Sequence, residues 1–159
     1  MLWIKSPNKL CLLIVAAILL MVGIVFITIL NFYSFDKILP TATVSIQEKT
    51  IKVEFVTTAA DMYRGLSGRN YLCSDCGMLF DFPNSGERKF VMRDMKFPLD
   101  IVFISNGRII KIDANLVPAG DKPEIIYSSE GEVNQVLELN AGYTTQNNIN
   151  VGDFVSFNP

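Results

Sequence analysis

The sequence predicts a mainly β domain, a compact sandwich or partly open barrel of about seven short strands with one or two short helices, preceded by a single transmembrane helix. Three observations lead there. The chain has 159 residues, within the range of one domain. Residues 10–30 form an uninterrupted apolar run. Beyond residue 40 the pattern changes to short alternating runs broken by Gly, Pro and Asn, the mark of strands and tight turns.

The apolar run comes first. All of its 21 residues except Gly23 and Thr28 are apolar, and it holds no Lys, Arg, Asp or Glu. As a helix it would be about 31 Å long at ~1.5 Å per residue, enough to cross a hydrocarbon core of about 30 Å. Fifteen of its residues are Leu, Ile, Val or Phe, each favouring insertion by about 0.3–0.6 kcal/mol. A cleaved signal peptide is the competing reading, because Lys5 and Lys9 precede the run. The run exceeds the usual signal core, and Asn31-Phe32-Tyr33 follows it in place of a small-x-small cleavage site. The expected organisation is therefore a cytoplasmic tail (1–9), a signal anchor held in the lipid bilayer (10–30), a linker (31–42) and a β-rich domain (43–159).

Orientation rests on a weak charge bias, Lys5 and Lys9 against Lys37 and Lys49. The amino-terminal flank is short and carries no acid, which favours a cytoplasmic amino terminus at the cell membrane and an extracytoplasmic domain. Phe32, Tyr33 and Phe35 would then mark the outer interface. Cys11, at the inner end, reads as a filler residue or a site of reversible acylation.

In the domain, Ile51, Val53 and Phe55 alternate with Lys52 and Glu54 in a strand ending at Thr57. Thr58-Ala59-Ala60-Asp61 resembles a capping box, with Asp in place of Glu or Gln, and opens a short helix expected to stop at Gly68. Further strands are expected at 78–82, 89–92, 99–104, 109–116, 133–139 and 151–157. Pro83-Asn84-Ser85-Gly86 reads as a turn between two of them, and Asn106-Gly107 as a tight hairpin. Ile101 to Ile104 is apolar on both faces and should be interior to the sheet. Residues 140–148 read as a short helical or irregular excursion, and Gly152 as a turn residue.

Composition excludes several functions. From Thr41 onward there are 15 acidic and 11 basic residues, a mildly acidic domain without the basic footprint of a nucleic-acid binder. Arg88-Lys89 reads as a solvated strand end. The chain has no histidine. Ser-His-Asp and Cys-His catalysis, His-ligated zinc and histidine pH switches are thereby excluded within it. Proton transfer near neutral pH would need a carboxylate, lysine or thiolate with a shifted pKa.

The motifs resemble the domain of unknown function 192 family. They are Arg64-Gly65-Leu66-Ser67-Gly68-Arg69, Gly77-Met78-Leu79-Phe80-Asp81-Phe82, Phe90-Val91-Met92-Arg93-Asp94-Met95 and Pro98-Leu99-Asp100-Ile101-Val102-Phe103-Ile104, in that order. Val136 to Gly142 and Ile149 to Asp153 match the family's closing motif, so the resemblance covers nearly all of residues 50–157. It implies a small prokaryotic β-rich domain, often exported, with no established activity. The sequence departs from the family pattern in having Cys73 and Cys76 before Gly77, and Val91 where an aromatic residue is common.

Cys73-Ser74-Asp75-Cys76 has a recognised spacing. Outside the cytoplasm it is expected to form a short-loop disulfide; a thiol redox pair, a soft-metal pair aided by Met78, Met92 or Met95, and free thiols are the other readings. Arg64, Arg93, Asp94, Asp100 and Glu138 are the charged residues embedded in the apolar motifs. One reading makes them a polar pocket, with Arg64 or Arg93 holding an anionic group and Asp94, Asp100 or Glu138 as acid or base. The plainer reading pairs Arg64 with the helix dipole or Asp100 and turns Glu138 to solvent. The favoured function is a ligand-binding or protein-interaction module at the cell envelope, with no cofactor expected. A carboxylate-dependent enzyme and a thiol or metal protein are the alternatives.

Overall fold

The computed structural model describes the backbone of residues 7–33, 38–122 and 125–158, and their side chains apart from 7–10 and 29–33. The expectations for Lys5, Lys9, Phe32, Tyr33, Phe35 and Lys37 concern side chains outside the described residues. The chain divides after Ile38 into two compact units.

The first unit is helix α1, Pro7–Tyr33. Proline suits the first position because its missing N–H would have no partner there. From Cys11 to Thr28 the helix is apolar and long enough to cross a membrane. The Thr28 hydroxyl donates to the Val25 carbonyl at 2.8 Å, which satisfies the polar group within the helix itself.

The second unit is built on one curled sheet. Strands β1 (Thr41–Ile46) and β2 (Lys49–Val56) form an antiparallel hairpin. The chain crosses through α2 (Ala59–Arg64) and a loop into β3 (Cys76–Gly86), which lies parallel to β2. Two short strands, β4 (Lys89–Phe90) and β7 (Tyr127–Ser128), pair separately. Strands β5 (Leu99–Ser105) and β6 (Arg108–Leu116) make a hairpin whose Asn106 and Gly107 have φ of 49° and 74°. Positive φ at both central positions is what a type I′ turn requires. Strand β8 (Val133–Asn140) inserts between β5 and β3, α3 (Tyr143–Gln146) follows, and β9 (Val155–Asn158) returns to β1.

The spatial order is β6-β5-β8-β3-β2-β1-β9. Its two edges meet at one end, where Arg108 bridges Phe154, the Ile109 amide donates to Asp153 at 3.0 Å and the Val155 amide donates to Gly107 at 2.9 Å. The sheet is therefore a partly open barrel. Val44, Ile46, Ile51, Val53, Leu79, Val102, Ile104, Leu137 and Leu139 pack inside the curl. Met78, Phe80, Ile101, Phe103 and Val136 point outward, yet they are also buried, under Leu66, Met92 and Met95 from the connecting segments. With both faces covered, strand β5 can be apolar on both faces from Ile101 to Ile104, in keeping with its position between β6 and β8. A Cβ on Gly77 would lie 2.8 Å from the Glu138 carbonyl, so any side chain there would wedge β3 from β8.

Several boundaries differ from the sequence expectation. Strand β1 starts at Thr41, inside the segment that the sequence pattern places in the linker. The Thr58 cap is present, its Oγ1 accepting from the Asp61 amide at 3.2 Å, but α2 ends at Gly65, with φ of 51°, rather than at Gly68. The Pro83 to Gly86 segment is a continuation of β3, with its pairing to β8 broken between Asp81 and Gly86. Proline fits there because the strand donates no ladder bond at the irregularity. Residues 151 and 152 form a turn, so β9 begins at Val155.

Candidate functional site

Strand register decides which candidates can meet. Asp100 on β5 stands opposite Leu139, and Ile101 stands opposite Glu138. Directly paired residues share a face and successive residues alternate, so Asp100 and Glu138 lie on opposite faces of the sheet. They cannot share a pocket. Asp100 and Glu138 therefore do not serve as acid and base of one site.

Asp100 points into the barrel and is completely buried. Its Oδ1 accepts from the amides of Asn115 at 2.9 Å and Gly142 at 3.0 Å. Its Oδ2 accepts from the Thr144 amide at 3.0 Å and the Thr144 hydroxyl at 2.6 Å. Gly142 begins α3 without a side chain to cap it, and the carboxylate of Asp100 supplies the missing acceptor from another strand. Its partners are these groups and not Arg64. The arrangement plugs the barrel with Tyr143, whose ring is buried in the inner core.

Glu138 lies on the outer face. The row Glu54, Met78, Glu138 and Ile101 runs across β2, β3, β8 and β5. The expectation that Glu138 meets solvent is overturned: the residue is 6% exposed, because α2 and the loop after it cover this face. Its Oε2 is buried and has no hydrogen-bond partner. Gly65, at φ of 51°, sits against it; a Cβ at Gly65 would lie 3.9 Å from Oε2 and 3.4 Å from the Phe80 ring. Burial pushes the Glu138 pKa up to about 8, against a smaller opposing pull from Arg69. Arg69 is itself engaged elsewhere, donating through both terminal nitrogens to Glu54 at 2.6 Å each.

Arg93 and Asp94 occupy the loop after β4. The Arg93 guanidinium stacks 4.1 Å over the Tyr63 ring and donates to the Tyr63 carbonyl at 2.7 Å. Asp94, at φ of 52°, is exposed and lies 3.9 Å from Arg93 Nε. The backbone here knits two family motifs together: Ser67 Oγ donates to the Arg93 carbonyl and the Gly68 amide to that of Asp94. Arg64 is exposed at the last turn of α2. Cys73 and Cys76 are joined in a disulfide with a Cα separation of 5.1 Å, at the entry to β3. Met78, Met92 and Met95 are buried in the outer core.

One cavity of about 380 Å³ opens on the outer layer, lined by Met62, Tyr63, Phe80, Phe82, Glu87, Arg88, Lys89 and Phe90. Phe80 and Phe90 meet edge to face at 4.9 Å, and the Arg88 guanidinium lies 4.1 Å over the Phe82 ring. Sequence reasoning missed these residues, together with Arg69 and Glu54. Their signal was present: Phe80, Phe82, Phe90 and Arg69 all fall inside the motifs, and three aromatic residues within eleven positions exceed what one strand face needs. Arg88, which reads as a solvated strand end, is half-buried against that wall. Among the described residues no three His, Cys, Asp or Glu side chains cluster closely enough to hold a metal ion.

No curated protein matches the chain. Two solved structures resemble it. One is a "putative transcription regulator" from Sinorhizobium meliloti 1021, 29% identical, covering 77% of this chain and 98% of its own length, with a TM-score of 0.71. The other is a protein of unknown function from Novosphingobium aromaticivorans, 30% identical, covering 74% of this chain and 86% of its own, with a TM-score of 0.69. The profile of the domain of unknown function 192 family, described as "Uncharacterized ACR", matches residues 41–157. Over its whole β unit, then, the chain belongs to the domain of unknown function 192 family.

Proposed function

We propose that the chain is a membrane-tethered, extracytoplasmic binding domain whose ligand seats in the cleft between α2 and the β3–β4 corner. One observation carries the reading: a cavity of about 380 Å³ walled by Tyr63, Phe80, Phe82 and Phe90, with a few charged groups at its edge. Its size lies in the range of small-molecule pockets, and three charged side chains, Glu87, Arg88 and Lys89, stand among its aromatic walls. Binding is favoured over catalysis because Asp100 has spent its acceptor capacity on structure and faces the other way from Glu138. The regulator name of the S. meliloti relative is not carried over, since 15 acidic against 11 basic residues give this domain no footprint for DNA.

The tether is α1, with the amino terminus inside. The apolar stretch Cys11–Thr28 supports it, and the Cys73–Cys76 disulfide suits an oxidising compartment. Two experiments test these parts. A fragment library is screened by ligand-observed NMR against the full chain in maltoside micelles, then against Phe82→Ala and Tyr63→Ala. Hits that converge on the cleft and weaken about tenfold or more in both variants are expected; hits indifferent to both would overturn the cleft. Protease added to spheroplasts should digest the β domain, and a protected domain would reverse the orientation.

A further inference from the structure

We infer that the cleft takes an anionic ligand, a carboxylate or phosphate monoester carried on a flat apolar body, with Arg88 as its counter-charge. The inference rests on the cleft reading above and narrows it to a chemical class.

Arg88 is the first reason. Its side chain donates to the Asn84 carbonyl, while its Nε is buried and has no acceptor at all. Among the described residues no carboxylate lies within ion-pair distance of it. Buried polar groups in folded proteins almost always find partners; the Nε is itself shielded from solvent, so it leaves the guanidinium under-bonded, and an anion at the terminal nitrogens would offset that deficit. The guanidinium fork matches the two oxygens of a carboxylate or phosphate, and Phe82 beneath it fixes its plane.

The remaining charges agree. Glu87 is the one acid in the lining, and it is already engaged by the Ser128 hydroxyl at 2.7 Å and by Lys89 at 3.8 Å. Arg88 is thus uncompensated, on a domain whose overall balance is acidic. On the other side, Tyr63 carries the Arg93 guanidinium over its ring at 4.1 Å. Two of the four aromatic walls therefore have a guanidinium against a ring face. A cationic ligand seeking the Phe82 face would meet the Arg88 guanidinium already over it, whereas an anion beside Arg88 meets opposite charge. Phe90, half-buried and edge to face with the buried Phe80, is the apolar wall left for the ligand's body.

Isothermal titration of the full chain in maltoside micelles with phenyl phosphate, benzyl alcohol and benzylamine tests this. Phenyl phosphate is expected to bind at least about tenfold more tightly than either of the others, and to weaken with added salt. Arg88→Gln should erase that preference while benzyl alcohol binds as before, and Phe82→Ala should weaken every probe. Equal or tighter binding of benzyl alcohol or benzylamine, sensitive to Phe82→Ala, would sink the anion inference and leave the cleft standing. If no probe binds, or binding ignores Phe82→Ala, the cleft reading falls as well. Should Arg88→Gln fail to fold, as judged by its melting transition, the ranking of the three probes on the unaltered chain still decides.

Discussion

Two carboxyl groups, one residue apart in register on neighbouring strands, are buried on opposite faces of the same sheet, and they are buried in opposite ways. Asp100 inside the barrel receives four hydrogen bonds from three residues. Glu138 outside it has an oxygen with no partner and a pKa raised to about 8. The inner face uses its carboxyl as an acceptor to complete a fold; the outer face keeps a carboxyl whose ionic form is poorly accommodated. A buried charge is stable where donors surround it and shifts its pKa where they do not.

The largest consequence is a pH dependence owed to Glu138. Its folded-state pKa of about 8 stands above the ordinary 4.5, so the folded chain holds this proton where the unfolded chain has lost it. Stability from this group is full below about pH 4.5 and falls as pH rises toward and through about 8. At ~1.4 kcal/mol per unit, the loss is on the order of 5 kcal/mol. Glu138→Gln copies the protonated shape and should remove that slope. Denaturant melts of the two proteins should agree near pH 4.5 and diverge, in favour of Gln, toward pH 8. Parallel curves would mean that Glu138 is ionised in the folded state and that the contrast with Asp100 is false.

The converse substitution on the inner face should cost about 2–4 kcal/mol, because Asp100→Asn replaces an acceptor oxygen with an amide that confronts donors it cannot satisfy. Chemical denaturation at pH 7 measures it. The surviving folded fraction should retain its outer-face properties, including probe binding in the cleft. A neutral effect on stability would show that α3 is held by Tyr143 packing alone.

The disulfide separates the two layers again. Strands hold the inner core, whereas connecting loops roof the outer one, and Cys73–Cys76 tightens one of those loops where it enters β3. So short a loop removes only modest entropy from the unfolded chain, so Cys73→Ser with Cys76→Ser should cost about 1–2 kcal/mol. Amide exchange is the sharper readout: protection should fall around residues 65–76 and stay unchanged in β5 and β8. Uniform loss across the sheet would mean that the roof and the barrel unfold as one unit.

The inner layer was the legible one. Alternation in β2, the Asn106-Gly107 turn and the doubly apolar β5 are local signals, and each led to the element observed. The outer layer was not. Leu137-Glu138-Leu139 reads as a strand with Glu138 facing water, and nothing local says that α2 and the 65–72 loop return over that face. Strand β3 misled in the same way: Pro83 to Gly86 has turn composition, yet non-local pairing across an irregularity keeps it extended. The charged candidates were recognised as unusual from their apolar neighbours. Which face each occupies depends on register against a strand some forty residues away, and so Asp100 and Glu138 were grouped when they are separated.

The smallest expected effect tests why Glu138 lacks a partner. Among the described residues Arg69 exerts the opposing pull on its pKa, yet both ends of that guanidinium are taken by Glu54. If Glu54 withholds Arg69 from Glu138, then Glu54→Gln should release it. The pair is about 30% exposed on each side, so stability at pH 7 should fall by no more than about 1 kcal/mol. The pKa of Glu138 should meanwhile drop, because an opposite charge free to turn toward a carboxylate favours its ionised form. Carbon-detected NMR titration of the Glu138 carboxyl in Glu54→Gln should place its midpoint below that of the unaltered chain. An unchanged midpoint would mean that the geometry of the roof, and not competition for Arg69, keeps the outer carboxyl unpaired. The contrast with Asp100 would then lie in where the backbone places donors, since Asp100 is met by three amides that no side chain can withdraw.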